Sequence, residues 1–153
     1  MAQKFHQGRY SPINPVKYRG DYTNIVYRSS WEKRFFLWAD TNPSVLEWSS
    51  EEVIIPYLCE TDNRVHRYFL DAHVKIKDVN GKVGTFLVEI KPHAQTLPPK
   101  FPGKQTKRYM EEVETFVKNQ SKWKAARKFA DERGAQFVIL TENDLGIKNG
   151  SKK

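Results

Sequence analysis

Two acidic residues and a lysine stand at the ends of two predicted strands. Asp71 ends the run HRYFLD, while Glu89, Ile90 and Lys91 end the run FLVEIK. Alternate residues of a strand share a face, so Glu89 and Lys91 point the same way. Two adjacent carboxylates favour a divalent cation, and their hard oxygen ligands suit Mg²⁺. A solvated salt-bridge cluster of the same three charged side chains is the alternative that this pattern leaves open.

The turn between these strands, KDVNG, decides whether Asp71 and Glu89 meet. A two-residue turn at Asn80-Gly81 would place Ala72 opposite Glu89 and mix apolar with charged residues on each face. A three-residue loop with a left-handed Gly81 makes one face wholly apolar or glycine. Because burial specifies register, we predict the three-residue loop, with Asp71 directly opposite Glu89 and their Cβ atoms about 4.5–5.5 Å apart.

The rest of the chain reads as a helix, three or four strands, helices and a last strand. Ser29 and Glu32 have the spacing of a capping box at the start of the first helix. Residues 66–76 read as one strand, and residues 104–119 and 121–134 as two helices. The apolar run AQFVIL follows the second helix, which predicts a buried strand parallel to a neighbour.

Composition indicates a single basic domain of an intracellular protein. The 153 residues suggest one domain, and 26 Lys and Arg against 18 Asp and Glu leave a net charge of +8. That balance favours nucleic acid first and an acidic membrane second as partner. The single Cys59 forms no internal disulfide, and no apolar run approaches the ~20 residues that cross a bilayer. We predict a basic N-terminal arm over 1–28, a domain over 29–147 and a disordered basic tail over 148–153.

Basic residues gather in the predicted arm and in the loop and helix that follow Lys91. Contacts from such residues to DNA phosphates carry no sequence information. The predicted DNA-binding residues are Arg9, Lys17, Arg19, Lys100, Lys104, Lys107 and Arg108.

Asp71 followed by Glu89-Ile90-Lys91 resembles the motif of the PD-(D/E)xK nuclease superfamily, with Leu70 in place of the usual proline. The resemblance implies a restriction-endonuclease-like α/β fold, in which a mixed central sheet is flanked by helices. It also implies phosphodiester hydrolysis with Mg²⁺, for which Mn²⁺ would substitute.

Two further features extend this resemblance. Gln105 and Tyr109 in QTKRY are similar to the QxxxY motif of the RecB-like branch, and their i, i+4 spacing predicts one shared helix face. Glu32 stands where the superfamily places an additional acid, although the capping box also accounts for it. The catalytic residues implied are Glu32, Asp71, Glu89, Lys91, Gln105 and Tyr109. The metal ligands implied are Asp71, Glu89, the backbone carbonyl of Ile90, and Glu32.

A longer resemblance covers roughly residues 8 to 140. The segments GRYSPINPVKY, YRSSWEKRFFLWAD, VLEWSSEEVIIPY, RYFLD and VEIKP are similar to the head completion nuclease family of large tailed phages. This resemblance implies a DNA endonuclease that acts after packaging and before tail joining, in the host cytoplasm and the virion head or neck. The partners implied are DNA, either a packaged genome end or a branched form, and portal or neck proteins. Two alternatives are a catalytically weak head-closing protein and a cellular repair or recombination nuclease of the same superfamily.

Overall fold

The elements of the structure follow the hydrophobic pattern of the chain. The computed structural model describes residues 7–146, so the predicted tail over 148–153 lies outside the described residues. Within that range the α-helices are α1 (Ser30–Thr41) and α2 (Lys107–Glu132), and short 3-10 helices cover Pro15–Lys17 and His93–Thr96. The strands are β1 (Gly8–Tyr10), β2 (Ile25–Tyr27), β3 (Val45–Ser49), β4 (Ile54–Cys59), β5 (Arg64–Phe69), β6 (Ala72–Lys77), β7 (Val83–Ile90) and β8 (Gln136–Leu140).

A mixed four-stranded sheet forms the centre of the fold. Its strand order is β3-β6-β7-β8, in which β3, β6 and β7 are antiparallel neighbours and β8 runs parallel to β7. The strands β1 and β2 pair separately, as do β4 and β5. The mixed α/β fold and the parallel last strand are therefore confirmed.

The β6–β7 hairpin has the predicted register. Ala72 pairs with Val88, and the pairing continues to Lys77 opposite Val83. Gly81 has a φ of 83°, in the left-handed region that the three-residue loop requires. The buried side chains of the hairpin thus select the register, and the ends of β6 and β7 carry Asp71 and Glu89 to the same edge of the sheet.

Hydrophobic clusters cover the central sheet. In one, Phe35, Phe36 and Ala39 of α1 pack with Trp48 of β3. In the other, α2 packs with β4, β5 and the central sheet through a mostly apolar stripe. The members of that stripe are Trp123, Ala126 and Ala130. Because α1 and α2 are both fixed on the sheet, each can present side chains to its edge.

The predicted arm contributes to the first cluster through Tyr10, Tyr18 and Ile25. Its anchor is Asp40, which is fully buried at the end of α1. The Asp40 carboxylate accepts hydrogen bonds from the hydroxyl of Tyr10 at 2.6 Å and from the backbone N–H of Ile13 at 2.6 Å. Three aromatic or apolar side chains and a buried carboxylate thus hold this segment to the sheet. The domain boundary at residue 28 stays a prediction.

The prediction of a single strand over residues 66–76 is wrong. The chain leaves β5 after Phe69 and enters β6 at Ala72, in a different sheet. Between them, the N–H of Leu70 donates to the carbonyl of Val53 at 3.0 Å, and the carbonyl of Leu70 accepts from the N–H of Glu51 at 3.1 Å. No glycine or proline marks this change of partner, so the alternating pattern concealed it.

The prediction of two helices over residues 104–134 is also wrong, because α2 is continuous from Lys107 to Glu132. The polar stretch Asn119-Gln120-Ser121 lies where the two predicted helices meet. The hydroxyl of Ser121 donates to the carbonyl of Val117 at 3.1 Å within the helix. No helix in the described residues is long and apolar enough to cross a membrane.

Candidate active site

Asp71 and Glu89 meet at the edge of the sheet where β6 begins and β7 ends. Asp71 lies one residue before β6, so it is outside the paired strand. Its Oδ2 atom accepts a hydrogen bond from the N–H of Ile90 at 2.8 Å. Burial raises the pKa of Asp71 well above its usual value, and the Glu89 charge raises it further. The two carboxylates are therefore close enough to repel each other.

Glu89 is buried, with 5% of its surface exposed, and polar groups hold both of its carboxylate oxygens. Its Oε2 atom lies 3.3 Å from the Nζ atom of Lys91. The backbone N–H of Lys91 donates to the carbonyl of Leu140 at 3.0 Å, which ties the residue to β8. The shared face predicted for Glu89 and Lys91 brings their charges into contact, while the predicted ligand role of the Ile90 carbonyl stays a prediction.

Tyr68 completes the surroundings of Glu89, and the sequence analysis missed it. Its hydroxyl donates a hydrogen bond to the Oε1 atom of Glu89. Tyr68 is buried in β5 beside Tyr57, with ring centroids 6.4 Å apart at 85°. Burial raises the pKa of Tyr68, and the Glu89 charge adds to that shift, so the hydroxyl stays protonated as a donor. Tyr68 belongs to the β4–β5 hairpin, and no spacing rule links that hairpin to β7.

Glu32 reaches the same charge cluster from α1. Ser29 caps the helix by accepting from the N–H of Glu32 at 3.1 Å, which confirms half of the capping box. The Glu32 carboxylate accepts from the N–H of Arg28 at 2.9 Å rather than from Ser29. Burial raises the pKa of Glu32; the Arg28 N–H opposes this shift, and the charges of Glu51 and Glu89 add to it. The first turn of α1 thus adds a third carboxylate to Asp71 and Glu89.

Glu51 and Arg28 form a bidentate ion pair beside these acids. The Nε and Nη2 atoms of Arg28 lie 3.0 and 2.9 Å from the two carboxylate oxygens of Glu51. Glu51 has a φ of 55°, a left-handed conformation that is uncommon outside glycine. The pKa of Arg28 is raised by Glu51 first and then, against the opposing effect of burial, by Glu32 and Asp71. Glu51 was not predicted, because its strained backbone leaves no mark in the sequence.

Lys122 brings a further cation from the middle of α2. Its Nζ atom lies 5.5 Å from the centroid of the Tyr68 ring. Burial lowers the pKa of Lys122, and the charge of Glu89 opposes that shift. The sequence analysis did not identify this residue.

The predicted pairing of Gln105 and Tyr109 on one helix face is wrong. Gln105 is exposed and precedes Thr106, the N-cap of α2, so only Tyr109 is helical. The Tyr109 ring packs against Phe101 with centroids 5.3 Å apart. In the described part of the chain, no side-chain hydrogen bond joins Gln105 or Tyr109 to Asp71 or Glu89. The hydroxyl of Thr106 accepts from the N–H of Tyr109 at 3.0 Å, and this cap starts the helix at Lys107, two residues after Gln105.

The predicted DNA-binding residues fall into two groups. Lys100, Lys104, Lys107 and Arg108 are exposed around the start of α2, and Arg9 is exposed on β1. Lys17 instead donates from Nζ to the carbonyls of Asp40 and Asn42 at 3.0 and 2.9 Å, where a cation stabilises the end of α1. Arg19 contacts Glu47 at 2.6 Å. The structure thus gives Lys17 and Arg19 protein partners. In the exposed group Arg108 also has one, because its Nε atom lies 3.2 Å from a carboxylate oxygen of Glu112.

The donor set at the sheet edge fits a hard divalent cation. Asp71, Glu89 and Glu32 offer only carboxylate oxygens, which Mg²⁺ prefers. Burial raises the pKa values of Asp71 and Glu32, and the charge of Glu89 adds to both shifts. A different group, Cys59, Asp62 and His66, is the one in residues 7–146 whose ligand atoms all lie within 4.8 Å of one another. It lies at the β4–β5 turn, where Asp62 already pairs with His66 at 2.7 Å.

Comparison with known proteins shows the family of this chain. Residues 42–142 match the family model described as TnsA-like endonuclease N terminal. The chain is 45% identical over 144 residues to the head completion nuclease of Enterobacteria phage T4, which covers 92% of this chain and 93% of that protein. The chain belongs to the head completion nuclease family. Its TnsA-like segment contains Asp71, Glu89 and Lys91, whereas Glu32 lies ahead of the matched range.

Proposed function

We propose that this head completion nuclease is a metal-dependent endonuclease that hydrolyses phosphodiester bonds of DNA as phage heads are completed. The observation that carries the proposal is the buried Glu89, held between Tyr68 and Lys91 beside Asp71. Burying two repelling carboxylates at a sheet edge is unfavourable unless a cation compensates them. The T4 relative is called a head completion nuclease, and the similarity covers 92% of this chain and 93% of that protein, which supports a role of this activity in head completion.

Each residue of the site has a distinct role in the proposal. Asp71 and Glu89 hold Mg²⁺ or Mn²⁺, with Glu32 and the Ile90 carbonyl as further ligands. The ion would supply a lowered pKa for bound water and charge stabilisation at the phosphate. Lys91, fixed by Glu89 and β8, faces the developing negative charge of the transition state. Tyr109 and Gln105 lie beside the bound strand at the start of α2.

DNA is the proposed partner, held mainly through its phosphates. The exposed group Lys100, Lys104, Lys107 and Arg108, with Arg9, supplies the positive surface. The packaged genome end or a branched form is the proposed substrate. Portal or neck proteins are the proposed protein partners, and the host cytoplasm and then the head or neck are the proposed places of action.

Cleavage assays with purified protein test this function. Linear, branched and supercoiled DNA are incubated with wild type, with Glu89→Ala and with the exposed control Glu132→Ala, in Mg²⁺, in Mn²⁺ and in EDTA. We expect wild type and the control to cut at least one form in either metal, and we expect EDTA or Glu89→Ala to abolish cutting. Equal cutting by Glu89→Ala, or no cutting of any form by wild type, would overturn the proposal.

A further inference from the structure

Lys122 is joined to the proposed active site through a single aromatic ring. Its Nζ atom lies 5.5 Å from the centroid of the Tyr68 ring, and the hydroxyl of that ring donates to Glu89. A cation above an aromatic ring is attracted by the partial negative charge that the π electrons place on the ring face. Tyr68 therefore contacts Lys122 with the face of its ring and Glu89 with its hydroxyl.

The ammonium of Lys122 has no ion-pair partner among the described residues, because the nearby cations and anions pair with one another. Lys91 already contacts Glu89 at 3.3 Å, and Arg28 is engaged by both oxygens of Glu51. No ion pair within residues 7–146 involves Lys122. Partial burial of an ammonium without an ion pair is unfavourable, and the charges of Glu89 and Asp71 act on Lys122 from beyond ion-pair distance, so the position suits an anion that arrives from outside the chain.

A cleft lies along the first half of α2. Its volume is about 460 Å³, and the α2 residues that line it include Arg108, Glu111, Glu112 and Asn119, with Arg108 paired to Glu112 at 3.2 Å. Residues three apart on a helix are neighbours on its surface, so Lys122 follows Asn119 along the same face. One face of α2 therefore runs from Arg108 past Asn119 to Lys122.

We propose that Lys122 binds the phosphate of the DNA strand that is cut, as a second active-site cation alongside Lys91. The inference rests on the proposed nuclease function and names a residue for it that the superfamily motif does not contain. Burial lowers the pKa of Lys122 and the charge of Glu89 opposes this shift, which agrees with an ammonium held at the edge of the carboxylate cluster.

The test compares Lys122→Met, Lys122→Arg and the matched control Lys124→Met. Methionine keeps an unbranched side chain against Tyr68 without the charge, arginine keeps the charge, and Lys124 is an exposed lysine two residues along α2. The DNA form that wild type cuts fastest is used for single-turnover cleavage in Mg²⁺, and its binding is measured against salt in EDTA. Thermal unfolding of each variant is measured in parallel.

We expect Lys122→Met to slow cleavage by on the order of 10²-fold, as for loss of one preorganised electrostatic group. The salt slope should fall by about 0.9 on duplex DNA, the value of one phosphate contact. The melting temperature should stay that of wild type, Lys122→Arg should recover most of the rate, and the Lys124→Met control should match wild type.

The outcomes separate this inference from the proposed function. If Glu89→Ala is inactive but Lys122→Met keeps the wild-type rate and slope, only the role of Lys122 is wrong. A slower Lys122→Met with a lower melting temperature and an unchanged slope would assign Lys122 to packing on Tyr68, which also overturns the inference. If Glu89→Ala cuts as wild type does, or wild type cuts nothing, both proposals fail.

Discussion

The hydroxyl of Tyr68 in β5 donates a hydrogen bond to the Oε1 atom of Glu89 in β7. These strands belong to different sheets, so the contact joins the β4–β5 hairpin to the central sheet. Lys91 holds the other oxygen of the same carboxylate at 3.3 Å. Two partners on two oxygens fix the plane of the carboxylate, and such fixed groups are what a metal-dependent site requires from its surroundings.

Tyr68→Phe tests this contact because it keeps the buried ring and removes only the donor. Leaving a buried charged acceptor short of one partner should lower the free energy of unfolding by about 1–3 kcal/mol. Cleavage should fall as well, since Lys91 alone of these two partners then fixes the Glu89 carboxylate. Urea denaturation and cleavage in Mg²⁺ measure the two effects. The control Tyr57→Phe removes a buried hydroxyl that lies near Cys59, and it should cut DNA normally. A Tyr68→Phe protein as active as wild type would show that the contact has no part in catalysis.

Substitutions at Asp71 and Lys91 distinguish the loss of a proposed metal ligand from the loss of a positioned positive charge. Asp71→Ala should abolish cleavage, because it removes a carboxylate that no neighbour replaces. Lys91→Ala should reduce the rate by on the order of 10²-fold or more, while DNA affinity falls only slightly. Initial rates in Mg²⁺ and binding in EDTA measure the difference, with exposed Glu132→Ala as control. Full Mg²⁺-dependent activity in both variants would contradict the proposed site.

The raised pKa of Asp71 gives the metal-free protein a pH dependence of known sign. A carboxyl with a raised folded-state pKa holds its proton more tightly in the folded than in the unfolded chain. Its contribution to stability is complete below the usual pKa of about 3.9 and is lost as pH rises through the folded-state value. Asp71→Asn keeps an oxygen for the N–H of Ile90 and removes the charge. It should therefore raise the stability of the metal-free protein at neutral pH by about 1 kcal/mol.

Urea denaturation in EDTA across a pH series measures this effect. The loss of stability with rising pH should be smaller in Asp71→Asn than in wild type, and the raised pKa of Glu32 should leave a remainder of the same sign. Asp62 is the control, since its hydrogen bond with His66 lowers its pKa. Its stabilising effect is lost as pH falls, so Asp62→Asn should change only the acid side. Identical profiles for Asp71→Asn and wild type would contradict the repulsion between Asp71 and Glu89.

The sequence predicted those parts of the site that depend on local pattern. The register of β6 and β7 followed from one apolar face and a left-handed Gly81. That register brings Asp71 and Glu89 to one edge of the sheet. Glu32 followed from a capping pattern and from family resemblance. Each of these predictions needed only neighbouring residues or a single hairpin.

The parts that the sequence did not predict depend on contacts between distant elements. Tyr68 reaches Glu89 only because the chain changes sheets at Leu70, a switch that leaves no turn residue behind. Lys122 reaches Tyr68 only because α2 continues through Ser121, whose hydroxyl bonds within the helix. The helical position predicted for Gln105 was wrong for a local reason. Thr106 caps α2, so the helix begins after Gln105 and Gln105 does not share a helix face with Tyr109. Tertiary contacts and caps, rather than propensity, decided these positions.

Phosphate contacts from the basic group around the start of α2 should make DNA binding sensitive to salt. Changing Lys104 and Lys107 together to Ala removes two of them, so the slope of log affinity against log salt should flatten by about 1.8 on duplex DNA. All sequences should weaken alike. The control pair is Lys77 and Lys82, which are also exposed but lie at the opposite end of the β6–β7 hairpin from Asp71. An unchanged slope in the Lys104 and Lys107 variant would remove this surface from the DNA path.

Replacing the wild-type protein with variants in assembling phage distinguishes a requirement for cleavage from a purely structural role in closing the head. A head-closing protein without catalysis would show the same salt dependence, because both roles use phosphate contacts. Glu89→Ala keeps the exposed basic group and removes only a buried carboxylate, so it should bind DNA normally. If cleavage is required, heads that contain DNA should accumulate without tails when Glu89→Ala replaces wild type, while Glu132→Ala should support normal particles. Electron microscopy of lysates and plaque counts measure this. Glu89→Ala heads that join tails as well as wild type would show that the protein closes the head by binding alone.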